Sequence, residues 1–182
     1  MEVKQSDDSL QSPAGQRRRD FLHARSQAWQ QGVPDFEQFE RELHEQIMNL
    51  EREYLAEDLA CYDVAAPSIE VGGLRYQPVL KAAETYLSAA GPVRVERHLY
   101  RPAGRTAKSI CPLELRAGII HGYWTPRAAG HGAFVLAQLP ASAAEALFEE
   151  LGAMQPSRST LERLPRTLSV HWEAHRQEWE GF

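Results

Sequence analysis

The residues best suited to chemistry lie in the segment SRSTLERLPR, residues 157–166. An arginine can bind guanine through two parallel hydrogen bonds, and serine or threonine hydroxyls bond to bases or phosphates. The positive end of a helix dipole also favours a phosphate group. The residues that the sequence offers to DNA are Arg158, Ser159, Thr160 and Arg163 for bases, with Arg166 and the more distant Arg127 for phosphates.

Two helices are predicted ahead of this segment. One extends over residues 126–139, begins after Thr125 with a proline in its first position, and contains two glycines that permit close packing. The next begins with Ser142 and Glu145, which have the spacing of a capping box, and ends at Gly152.

The segment itself predicts a further helix, capped by Ser157 or by Ser159 in a second capping box with Glu162. Leu161 and Leu164 would face inward because they are three residues apart. Since proline breaks a helix interior, we expect this helix to stop at Leu164 and a last helix to begin at Pro165. Helix, short turn and helix together resemble a DNA-binding helix-turn-helix, although many pairs of core helices share this pattern.

Other reactive residues form no catalytic constellation. His171, His175 and Glu178 have a spacing that could bind zinc, but an exposed amphipathic helix explains them better because HExxH is missing. Cys111 stands in an apolar context without a histidine partner, which favours a buried structural thiol. We therefore predict no catalytic residue, no metal ligand and no cofactor.

Net charge and composition limit the cellular compartments and the binding partners that we expect for this chain. The net charge is −5, but residues 1–67 carry 7 basic and 14 acidic groups, whereas residues 91–170 carry 10 basic and 6 acidic groups. A local basic face can bind phosphate on an acidic chain. Cys61 and Cys111 lack metal-ligand spacing, and the polar N-terminus differs from a signal peptide. The sequence predicts a cytoplasmic protein with reduced thiols and no membrane partner.

The N-terminal part divides into a disordered tail over residues 1–15 and a helical segment over residues 16–66. A long helix is predicted from Pro34 and Asp35 onward. Its apolar residues form one stripe: Phe36, Phe39, Leu43, Ile47, Leu50 and Tyr54. This stripe could be a dimer seam or could pack on the chain's own core, and the sequence leaves the two open.

Residues 67–110 predict a small antiparallel β-meander. Gly72-Gly73 marks one hairpin turn and Gly91-Pro92 marks the next, and the residues after Pro92 alternate between apolar and polar. Residues 111–182 complete the chain as the helical region with the helix-turn-helix. The predicted fold class is α+β.

Four stretches occur in an order that resembles one protein family: MNLEREYLAEDLACYDV, GGLRYQPVLKAAETYLSAAGPVRVERHLYRP, SICPLELRAGIIHGYWTPRAA and EALFEELGAMQPSRSTLERLPRTLSVHWEAHRQEWE. The chain resembles the N-terminal part of a bacterial insertion-sequence transposase of the DDE type. The resemblance covers about residues 48–180, and its separate motifs are weak, so its specificity lies in their order and spacing.

The resemblance implies recognition of the terminal inverted repeats of an element during DNA transposition. The family's catalytic core holds two metal ions, such as Mg²⁺, with three carboxylates. The last aspartate here is Asp63, so we expect a truncated chain that lacks this core and is non-catalytic by itself. Implied partners are double-stranded DNA, a full-length transposase and a second copy. The alternative hypothesis is a non-catalytic assembly protein with the long helix as its dimer seam.

Overall fold

The computed structural model describes residues 13–102 and 108–179, and within its first and last helices the side chains of 13, 14, 171, 172 and 174–179 are not described. The elements in these ranges are α1 Pro13–Gln31, α2 Phe36–Cys61, β1 Ile69–Val71, β2 Leu74–Ser88, β3 Gly91–Pro102, α3 Pro112–Ala117, α4 Pro126–Leu136, α5 Ala141–Leu151 and α6 Arg158–Trp179. Helices and an antiparallel sheet confirm the α+β class. None of the helices described is long and apolar enough to cross a membrane.

The chain forms two compact units, Met1–Leu50 and Glu51–Phe182. The first unit contains α1 and the first half of α2. The predicted tail was too long, because Pro13 already begins α1 and proline is tolerated in a first helical turn. Residues 1–12 of that tail lie outside the described residues. α2 begins one residue after Asp35, whose Oδ1 accepts a hydrogen bond from Glu37 N at 3.0 Å.

The stripe on α2 has two different surroundings. In the second unit, Leu55, Ala56 and Leu59 pack with the sheet residues into a core. Phe36 and Ile47, in the first unit, remain exposed. The C-terminal end of α2 therefore packs on the core through residues beside the stripe, whereas the stripe residue Tyr54 is exposed.

The sheet has the order β1-β2-β3, and both pairs are antiparallel. Gly72 and Gly73 have φ angles of 59° and 73° and form the predicted first turn. The second turn lies two residues earlier than predicted, since Ser88 pairs with Gly91. Gly91 has φ 107° and approaches the Ala153 carbonyl so closely that a Cβ would lie 2.8 Å from its oxygen. The positive φ and the close approach both explain the glycine at this position.

Two apolar clusters stabilise the second unit. One lies under the sheet and contains Tyr86, Val93, Val95, Leu59, Cys111, Leu113 and Ile119. The other joins the end of β2 to the C-terminal helices and contains Leu87, Ile120, Trp124, Ala128, Ala129, Ala144, Phe148, Met154, Leu161 and Leu164. The second cluster fixes α6 against α4 and α5.

The prediction that Pro165 separates two helices is wrong, because α6 runs without a break from Arg158 to Trp179. Proline removes one hydrogen bond and costs about 3 kcal/mol inside a helix. Leu161 and Leu164 are fully buried on one side of Pro165, and Leu168 packs against the same cluster on the other side. Pro165 itself faces solvent. A break would remove Leu168 from this cluster, so packing outweighs the local penalty.

Both predicted capping boxes are wrong. α5 begins at Ala141 after Pro140, so Ser142 lies inside the helix. Glu145 instead accepts a hydrogen bond from Arg158 N at 2.8 Å and thereby caps α6. Of the two predicted caps of this helix, Ser157 is confirmed, since its Oγ accepts a hydrogen bond from Thr160 N at 3.4 Å. The caps at Thr125 and at Gly152, with φ 73°, are as predicted.

Candidate nucleic-acid interface

An open groove of about 500 Å³ lies beside the first turns of α6. One wall is formed by α6 and the other by the chain turn that precedes α4. The residues that line it are His121, Tyr123, Trp124, Thr160, Arg163, Arg166, Thr167 and Val170. We call this feature the arginine groove. It brings together three of the six residues predicted to bind DNA.

Arg163 and Arg166 supply the positive charge of the groove. Both side chains are exposed, and Arg163 Nε donates a hydrogen bond to the Ser159 carbonyl at 2.9 Å. Neither arginine forms an ion pair with a carboxylate among the side chains that the structure describes. Guanidinium groups without a carboxylate partner are available to an anionic ligand.

Two hydroxyl groups accompany these arginines. Thr160 Oγ1 lies 2.8 Å from Ser157 Oγ, and Thr167 Oγ1 donates to the Arg163 carbonyl at 3.0 Å. Residues 160, 163 and 167 fall on one side of the helix because successive residues are about 100° apart. α6 therefore presents charge and hydroxyl groups along the length of the groove.

The opposite wall is a turn tied to the end of β2. Leu87 N donates to the Tyr123 carbonyl at 2.7 Å, and Thr125 N donates to the Leu87 carbonyl at 3.0 Å. His121 has φ 54°, a conformation that costs energy for any residue except glycine. The turn places this imidazole on the rim of the groove. Backbone strain at a groove is typical of a functional loop.

Aromatic rings line the floor of the groove. Tyr123 and Trp124 meet edge to face, with ring centroids 5.4 Å apart. Burial raises the pKa of the Tyr123 hydroxyl above its ordinary value. The groove thus combines aromatic side chains with cationic and hydroxyl groups, and groups of the latter two kinds contact phosphates in DNA complexes.

Arg158 lies outside the groove. Its Nε donates to Glu162 Oε1 at 2.7 Å, which neutralises its charge. Five residues of helix rotate it by about 140° from Arg163, onto the other flank of α6. Ser159 is exposed and its Oγ lies 3.2 Å from Ser157 Oγ, but it does not line the groove. Arg158 and Ser159 thus lie outside the groove that contains Thr160 and Arg163, although the sequence predicted all four as base contacts.

Arg127 lines a different cavity, of about 290 Å³, in the second unit. Glu51 and Asp58 line the same cavity, together with apolar residues such as Leu55 and Ile119. Carboxylates near an arginine compete with a phosphate for it and repel the anion. This position argues against Arg127 as a phosphate contact.

The sequence interpretation missed a polar network under the sheet. Arg97 Nη1 lies 2.9 Å from Glu114 Oε1, and its other terminal nitrogen pairs with Glu84. Tyr86 Oη donates to Glu114 Oε1 at 3.1 Å. Arg97 follows Val93 and Val95 at intervals of two, so strand alternation is the signal that could have placed it on the inward face. The network holds α3 against the sheet.

A second missed contact joins the end of α2 to β3. Asp63 Oδ2 lies 2.6 Å from His98 Nδ1, and Asp63 Oδ1 accepts a hydrogen bond from His98 N at 3.0 Å. Burial raises the pKa of Asp63, but these hydrogen bonds outweigh it and leave the pKa below its ordinary value. These two residues are 35 positions apart, and nothing local in the sequence joins them.

Metal and thiol chemistry find no support in the part of the chain that is described. No three His, Cys, Asp or Glu residues within it are placed to hold a metal ion. The side chains of His171, His175 and Glu178 lie outside that part. Cys111 is buried, as predicted, and Cys61 is exposed, and both are free thiols.

Comparisons of the chain with known proteins found no relative. No family model matches the chain, and neither the curated proteins nor the solved structures contain a match.

Proposed function

We propose that this chain binds double-stranded DNA and that the arginine groove binds the phosphate backbone of one strand. The observation that carries the proposal is the pair Arg163 and Arg166, exposed on one groove with no carboxylate partner in the described residues. Phosphate contacts supply most of the affinity of DNA-binding proteins, and arginine is the residue best suited to them.

Base contacts are assigned to the exposed start of α6 next to the groove. Ser159 and Thr160 carry the hydroxyls at this end that are assigned to bases, while Arg163 is assigned to the phosphate backbone together with Arg166. Arg158 keeps a lesser role because Glu162 already occupies its guanidinium. Arg127 has no role in the proposal because of the two carboxylates in its cavity.

The resemblance to insertion-sequence transposases supplies the proposed target, the terminal inverted repeats of an element. Under this proposal the chain is the DNA-recognition part of such a transposase. It needs no metal for binding, since Mg²⁺ belongs to the catalytic core of that family. The excess of basic residues over residues 91–170 supports the proposal, because this segment contains every residue that lines the groove.

The test is fluorescence anisotropy with a labelled duplex enriched from a random pool, titrated at several salt concentrations. Arg163→Ala and Arg166→Ala should each weaken binding about 5- to 100-fold and reduce the salt slope by about one. Arg158→Ala is the matched control on the same helix, and it should weaken binding less than either. Binding by both groove variants equal to that of the unmodified chain would refute the proposal, as would failure to enrich any duplex.

A second candidate function is assembly of two copies through the first unit. The observation in its favour is the exposure of Phe36, Leu43 and Ile47 on the stripe of α2. Exposed apolar groups at helical spacing are typical of an interface between helices. DNA binding and assembly are compatible, since paired DNA ends require paired proteins.

A further inference from the structure

His121 occupies a backbone position that usually belongs to another residue type. Its φ is 54° and that of Gly122 is 65°, so both central residues of a tight turn have positive φ. Tyr123 N closes this turn by donating a hydrogen bond to the Ile120 carbonyl at 3.2 Å. Glycine, asparagine and aspartate dominate turns with two positive φ angles. The histidine therefore gives this turn a side chain that the backbone conformation does not require.

The ends of the turn are held by hydrogen bonds and by burial. Ile120 N donates to the Trp124 carbonyl at 2.8 Å, and Trp124 N donates to the Ile120 carbonyl at 3.1 Å. Both residues are buried in the apolar cluster that fixes α6 against α4 and α5. Because the same cluster anchors the turn and α6, it fixes the backbone of His121 relative to the arginines of the groove.

The imidazole of His121 has no partner within the described part of the chain. It is exposed, and it forms no hydrogen bond or ion pair with the groups described there. The Glu114 carboxylate lies beside the same turn, where a Cβ on Gly122 would be 3.7 Å from both of its oxygens. This carboxylate is already paired with Arg97 at 2.9 Å, which compensates its charge. The imidazole nitrogens are therefore available to a ligand.

The two walls of the arginine groove carry donors for the same kind of ligand. Arg163 and Arg166 line it from α6, and His121 lines it from the turn. A neutral imidazole has an N–H donor, and a protonated imidazole has two such donors and a positive charge. The unesterified oxygens of a phosphodiester accept hydrogen bonds from different directions, so a strand lying in the groove can be contacted from both walls.

We propose that His121 is a further DNA contact, which donates a hydrogen bond to a backbone phosphate from the wall opposite Arg163 and Arg166. This inference rests on the proposed DNA binding and adds a contact from a second element of the fold. Contacts from two walls restrain the position of a strand more than contacts from one helix, and phosphate contacts of this kind set the register of a protein on a duplex.

The test compares affinity with stability in His121→Gly. Glycine suits a positive φ, so the midpoint of urea unfolding should stay unchanged or rise. Affinity for the labelled duplex enriched from the random pool, measured by fluorescence anisotropy, should fall about 5- to 30-fold because a hydrogen bond to a charged phosphate is lost. A histidine that serves only the turn would not produce this combination.

Two further variants sharpen the comparison. His121→Asn also suits a positive φ and retains an N–H donor, so it should lose less affinity than His121→Gly. His131→Asn is the matched control, since His131 is exposed on α4 and does not line the groove, and it should bind as the unmodified chain does.

The outcomes separate this inference from the proposed function. Failure of the unmodified chain to bind any duplex would overturn both. Binding that Arg163→Ala and Arg166→Ala weaken but His121→Gly leaves unchanged would preserve the proposed function and overturn the His121 contact. A lower affinity accompanied by a lower unfolding midpoint in both His121 variants would also overturn it, because the histidine would then stabilise the turn and not the complex.

Discussion

Gly132 and Gly130 lie in the same helix and face different surroundings, so exchanging each for alanine isolates one packing contact. A Cβ at Gly132 would lie 2.6 Å from Leu164 Cδ2 and 3.6 Å from two carbons of the Trp124 ring. Leu164 is fully buried. A Cβ at Gly130 would meet nothing within 4 Å. The contact at Gly132 sets how closely α4 approaches α6, and therefore where α6 presents the arginine groove.

The magnitude follows from two opposing effects. Alanine is about 1 kcal/mol more favourable than glycine inside a helix, and both positions gain this amount. Forcing an extra methyl group into a packed core costs about 1–3 kcal/mol, and only Gly132 incurs this cost. Gly130→Ala should therefore stabilise the protein by up to about 1 kcal/mol. Gly132→Ala should be about 1–3 kcal/mol less stable than Gly130→Ala.

The measurement is urea unfolding followed by circular dichroism, with the midpoints compared at equal slope. The helix propensity cancels between the two variants, so the difference in their free energies of unfolding reports the contact with Leu164. Equal stability of Gly132→Ala and Gly130→Ala would refute the packing argument. A change in the slope would point to a second structural change and would require the Leu164→Ala background as a check.

Two further predictions concern the polar contacts of the sheet. The lowered pKa of Asp63 means that its carboxylate stabilises the fold above the ordinary pKa of 3.8, and that this contribution is lost as the pH falls through the lower, folded value. Asp63→Asn should therefore flatten the fall in unfolding free energy below about pH 4, measured by urea unfolding across pH, and an unchanged profile would argue against the His98 contact. Arg97→Met should lower the free energy of unfolding by about 2–3 kcal/mol, because it leaves the carboxylates of Glu84 and Glu114 close together without the arginine between them. This loss is smaller than for a fully buried ion pair, because the Glu84 side chain is 40% exposed to solvent. Thermal unfolding measures this loss, and the additional variant Glu114→Gln should recover part of it.

Several turns and helix ends could be predicted from residues that are close together in the sequence. The glycine pair at 72–73 permits two successive positive φ angles, which a tight hairpin turn needs at its two central residues. Thr125 before a proline, and Gly152 after an apolar face, mark helix ends by the same kind of backbone requirement. The spacing of Leu161 and Leu164 correctly predicts that both are buried. These features depend on residues within one or two turns of each other.

Tertiary packing decided the features for which local sequence preferences favour no single conformation or partner. Pro165 lowers helix stability by an amount that the buried leucines on both sides offset, so α6 continues. Glu145 had the spacing for its own helix cap but caps α6, 13 residues later in the chain. Gly130 and Gly132 are indistinguishable by sequence, yet only Gly132 faces Leu164.

The candidate site shows the same division. Residue types determined that the segment 157–166 contains arginines and hydroxyls suited to phosphate or bases. Which of them share a surface depended on the helix phase fixed by the burial of Leu161 and Leu164. That phase directs Arg163 and Arg166 into the groove and leaves Arg158 with Glu162. The sequence by itself determined which side chains could bind phosphate or bases. The packing of α6 decided which of these side chains share one groove, because the neighbours of a residue in the chain do not determine its partners across the fold.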